Sequence, residues 1–338
     1  MSDKLKWGVL STAGIGMRKV IPGMKKSELV TVQAIASRDA VKAAAAAEKL
    51  QIPVSYGSYE ELLADPEIDA IYNPLPVNMH VDWSIRAMEA GKHVLCEKPI
   101  AMSAEEAARL IDARERTGKQ VLEAVMVRQH PQWLRVAEII RSGEIGEVCL
   151  MQTTMSFFND DPNNIRNIAE VGGGALYDVG CYALFLSRFV FNAEPQQVVA
   201  ISDIDPNMHT DRLMSGIIDF GNGRQLSFAC GTQLARFQTV QIIGRKGRIE
   251  VPVSLNAPQG EEVTITIDAD GTNDPAQMRH EVIAASDQYT LQADLAARVF
   301  RGETPAEYPI ENAVNNMAAI DALYRSAKSH TWEKVTSI

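Results

Sequence analysis

An aspartate and a tyrosine four residues apart, Asp178 and Tyr182, follow three consecutive glycines in the run Gly172-Gly173-Gly174-Ala175-Leu176-Tyr177-Asp178-Val179-Gly180-Cys181-Tyr182. If the glycines open a helix, an i, i+4 pair projects from one face. A carboxylate and a phenol so placed can steer a proton on and off a substrate hydroxyl. A Gly-rich turn followed by a core helix with two satisfied polar groups would use the same residues. A second run, Glu97-Lys98-Pro99, favours chemistry. It ends an apolar run in the other half of the chain and offers a lysine that can meet Tyr182 across a cleft. A solvated surface lysine is the plain alternative, but Glu97 and a conformation-fixing Pro99 flank this one.

The energetics allow such a pair. Taking a phenol from a pKa of about 10 to about 7 requires about 4 kcal/mol. A cation about 4 Å away at an effective dielectric of about 20 supplies about that amount. An ionised Asp178 opposes this shift, so its better role is to orient Lys98 or a substrate hydroxyl. Hydride transfer from an alcohol carbon needs a base, a positioned nicotinamide and little water. Tyr182 supplies the base and Lys98 tunes it. No nucleophilic serine or cysteine arrangement competes, since Cys181 adjoins Tyr182 and should point elsewhere.

The elements that must position these groups fall into two halves. Over residues 1–124, apolar runs read as strands at 6–10, 29–36, 69–73, 93–96 and 120–124, with helical patterns between them. Ser58-Tyr59-Glu60-Glu61 and Ser103-Ala104-Glu105-Glu106 are capping boxes, and Gly91 and Gly118 sit where helices should stop. This alternation predicts an α/β domain with a doubly wound parallel sheet, which binds ligands outside the carboxyl ends of its strands. From 125 to 338 the pattern predicts an α+β domain. It has a helix over 131–142, a strand over 147–158, the glycine run with its helix to 191, and strands over 197–204, 213–220, 224–230, 239–243, 248–251 and 262–267. Asn222-Gly223 marks a hairpin, and helices over 281–301 and 310–329 close the chain. The large, open, mostly antiparallel sheet implied here exposes a face that self-association would cover, giving a homodimer or homotetramer.

The first strand runs into Ser11-Thr12-Ala13-Gly14-Ile15-Gly16, where Ser11 and Ala13 replace two glycines of a strict G-x-G-x-x-G. Both are small, so a tight turn with its backbone close to a pyrophosphate remains possible, and the next helix presents its N-terminus to the anion. The second strand ends Ala36-Ser37-Arg38, a hydroxyl and a guanidinium suited to a 2′-phosphate, rather than the acidic residue usual for NAD. Asp39 stands where the following helix needs an N-cap. NADP is therefore favoured over NAD. After the third long strand, Pro74, Leu75 and Pro76 form a rigid loop suited to the nicotinamide side. His80 can touch cofactor or substrate, or serve as a structural residue at a helix start.

The 338 residues suit two domains. A formal net charge of −10 without a dense basic stripe argues against nucleic acid. No apolar stretch approaches the roughly 18 residues that span a bilayer, and no signal-like segment precedes the first strand, so a cytoplasmic location and no membrane partner are expected. Cys96, Cys149, Cys181 and Cys230 are far apart, and the six histidines form no i, i+4 pair. Buried free thiols and no metal site are expected.

Together these landmarks resemble the Gfo/Idh/MocA oxidoreductases. The resemblance rests on Glu97-Lys98-Pro99, on the GGG-x-x-x-D-x-G-x-Y pattern ending at Tyr182, and on Met126-Val127-Arg128-Gln129-His130-Pro131. It implies a Rossmann domain followed by a substrate domain, with Lys98 and Tyr182 catalytic and Asp178 the supporting carboxylate. It makes Arg128, His130, Arg166 and Asp211 substrate-cleft candidates. Many members of the family have histidine in place of Tyr182. The tyrosine, with the opening Trp7-Gly8-Val9-Leu10-Ser11-Thr12-Ala13, is similar to the branch holding NADP-dependent aldose and dihydrodiol dehydrogenases and glucose–fructose oxidoreductase. An NADP-dependent oxidoreductase acting on a sugar or cyclic polyol is expected. The alternatives are a ping-pong enzyme with tightly held NADP, a trans-dihydrodiol dehydrogenase, and a non-catalytic NADP sensor, against which the retention of Lys98 and Tyr182 argues.

Overall fold

Short apolar runs between capped helices give the first half its sheet. The computed structural model describes residues 4–336. Strands β1 (Leu5–Leu10), β2 (Val30–Ala36), β3 (Val54–Tyr56), β4 (Ala70–Asn73), β5 (His93–Glu97) and β6 (Val121–Ala124) form one sheet in the order β3-β2-β1-β4-β5-β6, every pairing parallel. All four residues of β4 and the last four of β1 are buried, as expected of a parallel sheet covered on both faces. The crossovers carry α1 (Ile21–Met24), α2 (Ala40–Leu50), α3 (Tyr59–Ala64), α4 (His80–Glu89) and α5 (Ala104–Thr117). Asp39 caps α2 by accepting from the Val41 and Lys42 amides, and Ser58 and Ser103 cap α3 and α5. The return bonds of the two capping boxes land one residue early. Glu61 accepts from Gly57 N and Glu106 from Met102 N.

The second half is built on α6 (Pro131–Ser142), β7 (Val148–Phe158), α7 (Cys181–Phe191), β8 (Gln197–Ile204), β9 (Asp211–Asp219), β10 (Gln225–Gly231), β11 (Gln233–Gly244), β12 (Arg248–Val251), β13 (Val263–Asp268) and β14 (Arg279–Ile283). Helices α8 (Gln288–Phe300) and α9 (Ile310–Ser329) and the short β15 (Glu333–Lys334) follow. The nine-stranded sheet runs β14-β13-β12-β11-β7-β10-β9-β8-β15. Among its pairings in the described residues only β7 with β10 is parallel. Residues alternate in burial along the strands, with Val198, Met214, Phe228, Met151 and Val240 buried on one face. On the other face the register aligns Val199 with Ile217, Ile201 with Ser215 and Phe237 with Ser156. The hairpin at Asn222-Gly223 forms with φ of 55° and 76°, the left-handed pair a type I′ turn needs.

Three features differ from expectation. The chain divides into two compact units, and Asp287–Val314 returns to the first unit, which otherwise ends at Met126. Within that unit α8 lies on α1: Thr290 Oγ1 donates to the Gly23 carbonyl at 2.8 Å, and Lys26 pairs with Asp287 at 2.7 Å. The helix expected over 281–301 begins at Gln288, capped by Asp287. Glu281 belongs instead to β14, opposite Ile265, and its carboxylate binds Arg135 through two hydrogen bonds. Finally, Ala169–Phe191 is by length and composition apolar enough to cross a membrane, but 83% of its 18-residue apolar window is buried inside the protein, as in a core helix.

Candidate active site

In the first unit the chemistry-bearing residues gather at the carboxyl ends of the parallel strands. Strand order reverses at β1, with β2 on one side and β4 on the other, and such a switch point opens a crevice for a ligand. Ser11 leaves β1 with φ 77°, a left-handed value that glycine adopts most readily, and its Oγ accepts from Ala13 N at 3.3 Å. Its own N–H donates to the Ala36 carbonyl at 2.9 Å, tying the turn to the end of β2. Gly14 and Gly16 keep the backbone of the next helix bare. A Cβ on Gly14 would lie 2.7 Å from the Arg18 guanidinium, and one on Gly16 would touch the Tyr72 ring and Pro74. Residues Gly16–Val20 form a π turn leading into α1, where Pro22 lacks an N–H. A small-residue turn, a helix start and a cation beside it fit a dinucleotide pyrophosphate. Arg18 is the residue here that the motif did not single out; its signal is its place one turn after Gly14.

At the end of β2, Ser37 is buried and its Oγ accepts from Asp39 N at 3.2 Å. Arg38 is exposed, and its guanidinium acts on the Tyr59 phenol, lowering a pKa that burial raises. At the end of β4, Asn73 closes the loop of Pro74 and Leu75. Its Oδ1 accepts from Leu75 N at 3.3 Å, and its Nδ2 donates to the His80 carbonyl and to Ser84 Oγ, both at 3.1 Å. Beyond β5, Lys98 is half-buried. Its neighbour Glu97 accepts a 2.6 Å hydrogen bond from Tyr72, and Glu123 Oε1 accepts from Ile100 N at 2.9 Å. His80 is 1% exposed, with Nδ1 2.9 Å from the Pro99 carbonyl and Nε2 2.7 Å from the Leu75 carbonyl. Its ring therefore serves the backbone and is not presented to a ligand. Burial pushes its pKa down to about 4, with the Lys98 charge acting in the same direction.

The second unit positions Asp178 and Tyr182. The glycine run packs against the preceding turn. Gly173 and Gly174 donate to the Ile168 and Arg166 carbonyls at 3.0 and 2.9 Å, and a Cβ on Gly173 would meet both of those oxygens. Gly174 has φ 125° and lies against the Asp211 carboxylate. Asp211 Oδ2 accepts from Leu176 N at 2.7 Å, and Oδ1 accepts from Tyr324 at 3.1 Å. Asp211, expected in the substrate cleft, is thus 3% exposed and caps the start of the helix that carries Asp178 and Tyr182. That helix opens as a π turn, Leu176–Gly180, before α7, so the spacing of Asp178 and Tyr182 spans a widened turn. Asp178 Oδ2 accepts from Arg166 Nε at 2.7 Å. Tyr182 is 5% exposed, and its ring meets Phe185 edge-on at 6.2 Å. The Arg128 guanidinium stands 5.0 Å over that same Phe185 ring. His130 caps α6, its Nδ1 accepting from Gln132 N at 3.2 Å, which leaves the proton on Nε2. That Nε2 is buried with no protein partner among the described residues. Tyr324, Phe185 and Tyr72 carry no motif and are found only through what they touch.

Burial raises the pKa of Asp211 from 3.8 to about 6, against the opposing pull of its hydrogen bonds. Between those values the native protein holds a proton that the unfolded chain has lost. The stability from this group is complete below about pH 4 and disappears as pH rises through about 6. A shift of about two units corresponds to up to about 3 kcal/mol. In urea titrations from pH 4 to 7, Asp211→Asn is expected to lose less stability with rising pH than the parent. Identical pH slopes would remove Asp211 as the titrating group.

Two family descriptions match the chain: "Oxidoreductase family, NAD-binding Rossmann fold" over residues 5–125 and "GFO/IDH/MocA C-terminal domain" over 133–250. An oxidoreductase of Rhizobium meliloti, ORF334, is 45% identical, covering 98% of this chain and 100% of its own. D-xylose 1-dehydrogenase (NADP(+)) 2 of Haloferax volcanii is 37% identical over 96% of this chain and 98% of its own. In structure, the 3-ketoreductase KijD10 from Actinomadura kijaniata, in complex with NADP and TDP-benzene, superimposes with a TM-score of 0.90 at 26% identity, covering 96% of this chain and 98% of that one. A parallel nucleotide-binding sheet, a mostly antiparallel second sheet and relatives matching end to end identify the chain as a member of the Gfo/Idh/MocA oxidoreductases, with a nicotinamide-dinucleotide domain at its N-terminus.

Proposed function

We propose that the protein is an NADP-dependent sugar dehydrogenase that oxidises the anomeric hydroxyl of an aldopyranose to the lactone. The observation that supports this reading is the pairing of Asp178 with Arg166 on a helix start that Asp211 holds, with Tyr182 following on the same helix. The xylose-dehydrogenase relative supports the substrate class. Tyr182, as phenolate, takes the hydroxyl proton while the hydride leaves the anomeric carbon. Lys98, just beyond β5, is the second group assigned to the reaction, and Asp178 with Arg166 orients the sugar hydroxyls. Bound NADP supplies the hydride acceptor. Arg128 and the Nε2–H of His130 are further donors for sugar oxygens. The enzyme acts as a homo-oligomer through the open face of the nine-stranded sheet, where Ile201, Ile217 and Phe237 are exposed.

NADP+ reduction, followed by absorbance across D-xylose, D-glucose, cyclic polyols and cyclic diols, tests the substrate class. Turnover with an aldose is expected; turnover confined to diols or polyols would contradict it. Arg38→Ala is expected to raise the KM for NADP+ at least 10-fold and leave that for NAD+ little changed, because a charge-assisted phosphate contact is lost. An undiminished NADP+ preference would show that Ser37 and Arg38 do not select the cofactor.

A further inference from the structure

We infer that His80 is a positioning residue for Lys98: through Nδ1 it holds the Pro99 carbonyl, and with it the turn that carries the lysine. This rests on the proposed catalytic part of Lys98. The turn after β5 has left the sheet ladder, and its first two backbone groups beyond Lys98 are satisfied by side chains. The Pro99 carbonyl faces His80 Nδ1 at 2.9 Å, and Ile100 N donates to Glu123 at 2.9 Å. Lys98 is thus fixed from behind by the buried His80 on α4 and the half-buried Glu123 on β6.

The same ring reaches the Leu75 carbonyl with Nε2 at 2.7 Å. Both partners are acceptors, so each contact requires a proton on the ring, and a neutral imidazole carries one. Burial and the Lys98 charge oppose the doubly protonated ring. The Leu75 loop has a second closure, because Asn73 bonds both Leu75 N and the His80 carbonyl. On the other side Glu123 holds the Ile100 amide, and the Pro99 carbonyl itself faces His80. The proton on which the lysine turn depends is therefore the one on Nδ1. Removing it strands a buried carbonyl and frees the turn, and a misplacement of about 1 Å can cost about 10²-fold in rate.

The shape of the side chain makes this testable. In His80→Asn the amide nitrogen stands near Nδ1 and can still donate to Pro99; in His80→Gln it stands near Nε2 and serves Leu75. With NADP+ and D-xylose, His80→Ala and His80→Gln are expected to lose roughly 10- to 100-fold in kcat, with the NADPH dissociation constant within about threefold. His80→Asn should recover most of the loss. An alanine variant with parental kcat, or a glutamine variant that rescues as well as asparagine, would overturn the inference. So would kcat and NADPH binding falling together in all three. Lys98→Ala in parallel separates the two levels. If it retains full turnover, the catalytic reading of Lys98 fails and the inference with it; if it is inactive while His80→Ala is not, only the positioning role fails. A readout without substrate is the ¹⁵N spectrum of the labelled imidazole, expected to show Nδ1 protonated. A neutral ring protonated on Nε2 alone would overturn the inference by itself.

Discussion

Parallel strands deliver all their carboxyl ends to one edge of a sheet, and the first unit's function follows from that constraint. Crossovers must return over the faces, so the loops that leave β1, β2, β4 and β5 cluster on one side. Because strand order reverses at β1, the loops diverge there and leave room between them. Ser11 to Gly16, Ser37 and Arg38, Pro74 and Leu75, and Glu97 with Lys98 are far apart in sequence but share this edge. What each offers differs: small residues and a helix start from the first loop, a guanidinium from the second, a lysine from the last.

Each unit fixes its candidate site with buried or half-buried polar groups that bind backbone. In the first, His80 and Glu123 grip the turn beyond Lys98. In the second, Asp211 accepts from the first amide of the helix that bears Asp178 and Tyr182, supported by Tyr324. A buried carboxylate or imidazole is costly unless hydrogen-bonded, and each of these is. The cost is visible in the direction of their pKa shifts, up for Asp211 and down for His80. Rigidity is what such groups contribute, since a general base works only when held within hydrogen-bonding reach of its proton. The glycines serve the same end by permitting close approach: Gly173 and Gly174 have no room for a Cβ.

Much of the fold was legible because it is written in periodicity. The helix bounds at Pro131–Ser142 and Ile310–Ser329, and the strands Gln197–Ile204 and Arg248–Val251, match the pattern residue for residue. The Asp39 cap and the Asn222-Gly223 turn are local chemistry and could be read directly. What escaped depends on distant partners. β3 has three residues, too few to show a period. β14 is a strand because β13 and Arg135 are there to pair with it. Asp211 lies 35 residues from the amide it caps and 113 from Tyr324, so no local pattern marked it as a cap, and only the family resemblance named it, as a substrate-cleft candidate. His80 was recognisable as a residue of interest, but its engagement by the Pro99 carbonyl, 19 residues away, was not.

The central claim is that the Tyr182 phenol carries the substrate proton, and replacing its oxygen alone tests that most directly. Turnover and NADPH affinity of Tyr182→Phe, measured on the same preparation, separate the proton step from binding. Turnover is expected to fall by well over 10²-fold, as for a lost general acid–base group, with NADPH affinity unchanged. Turnover equal to the parent's would contradict the account.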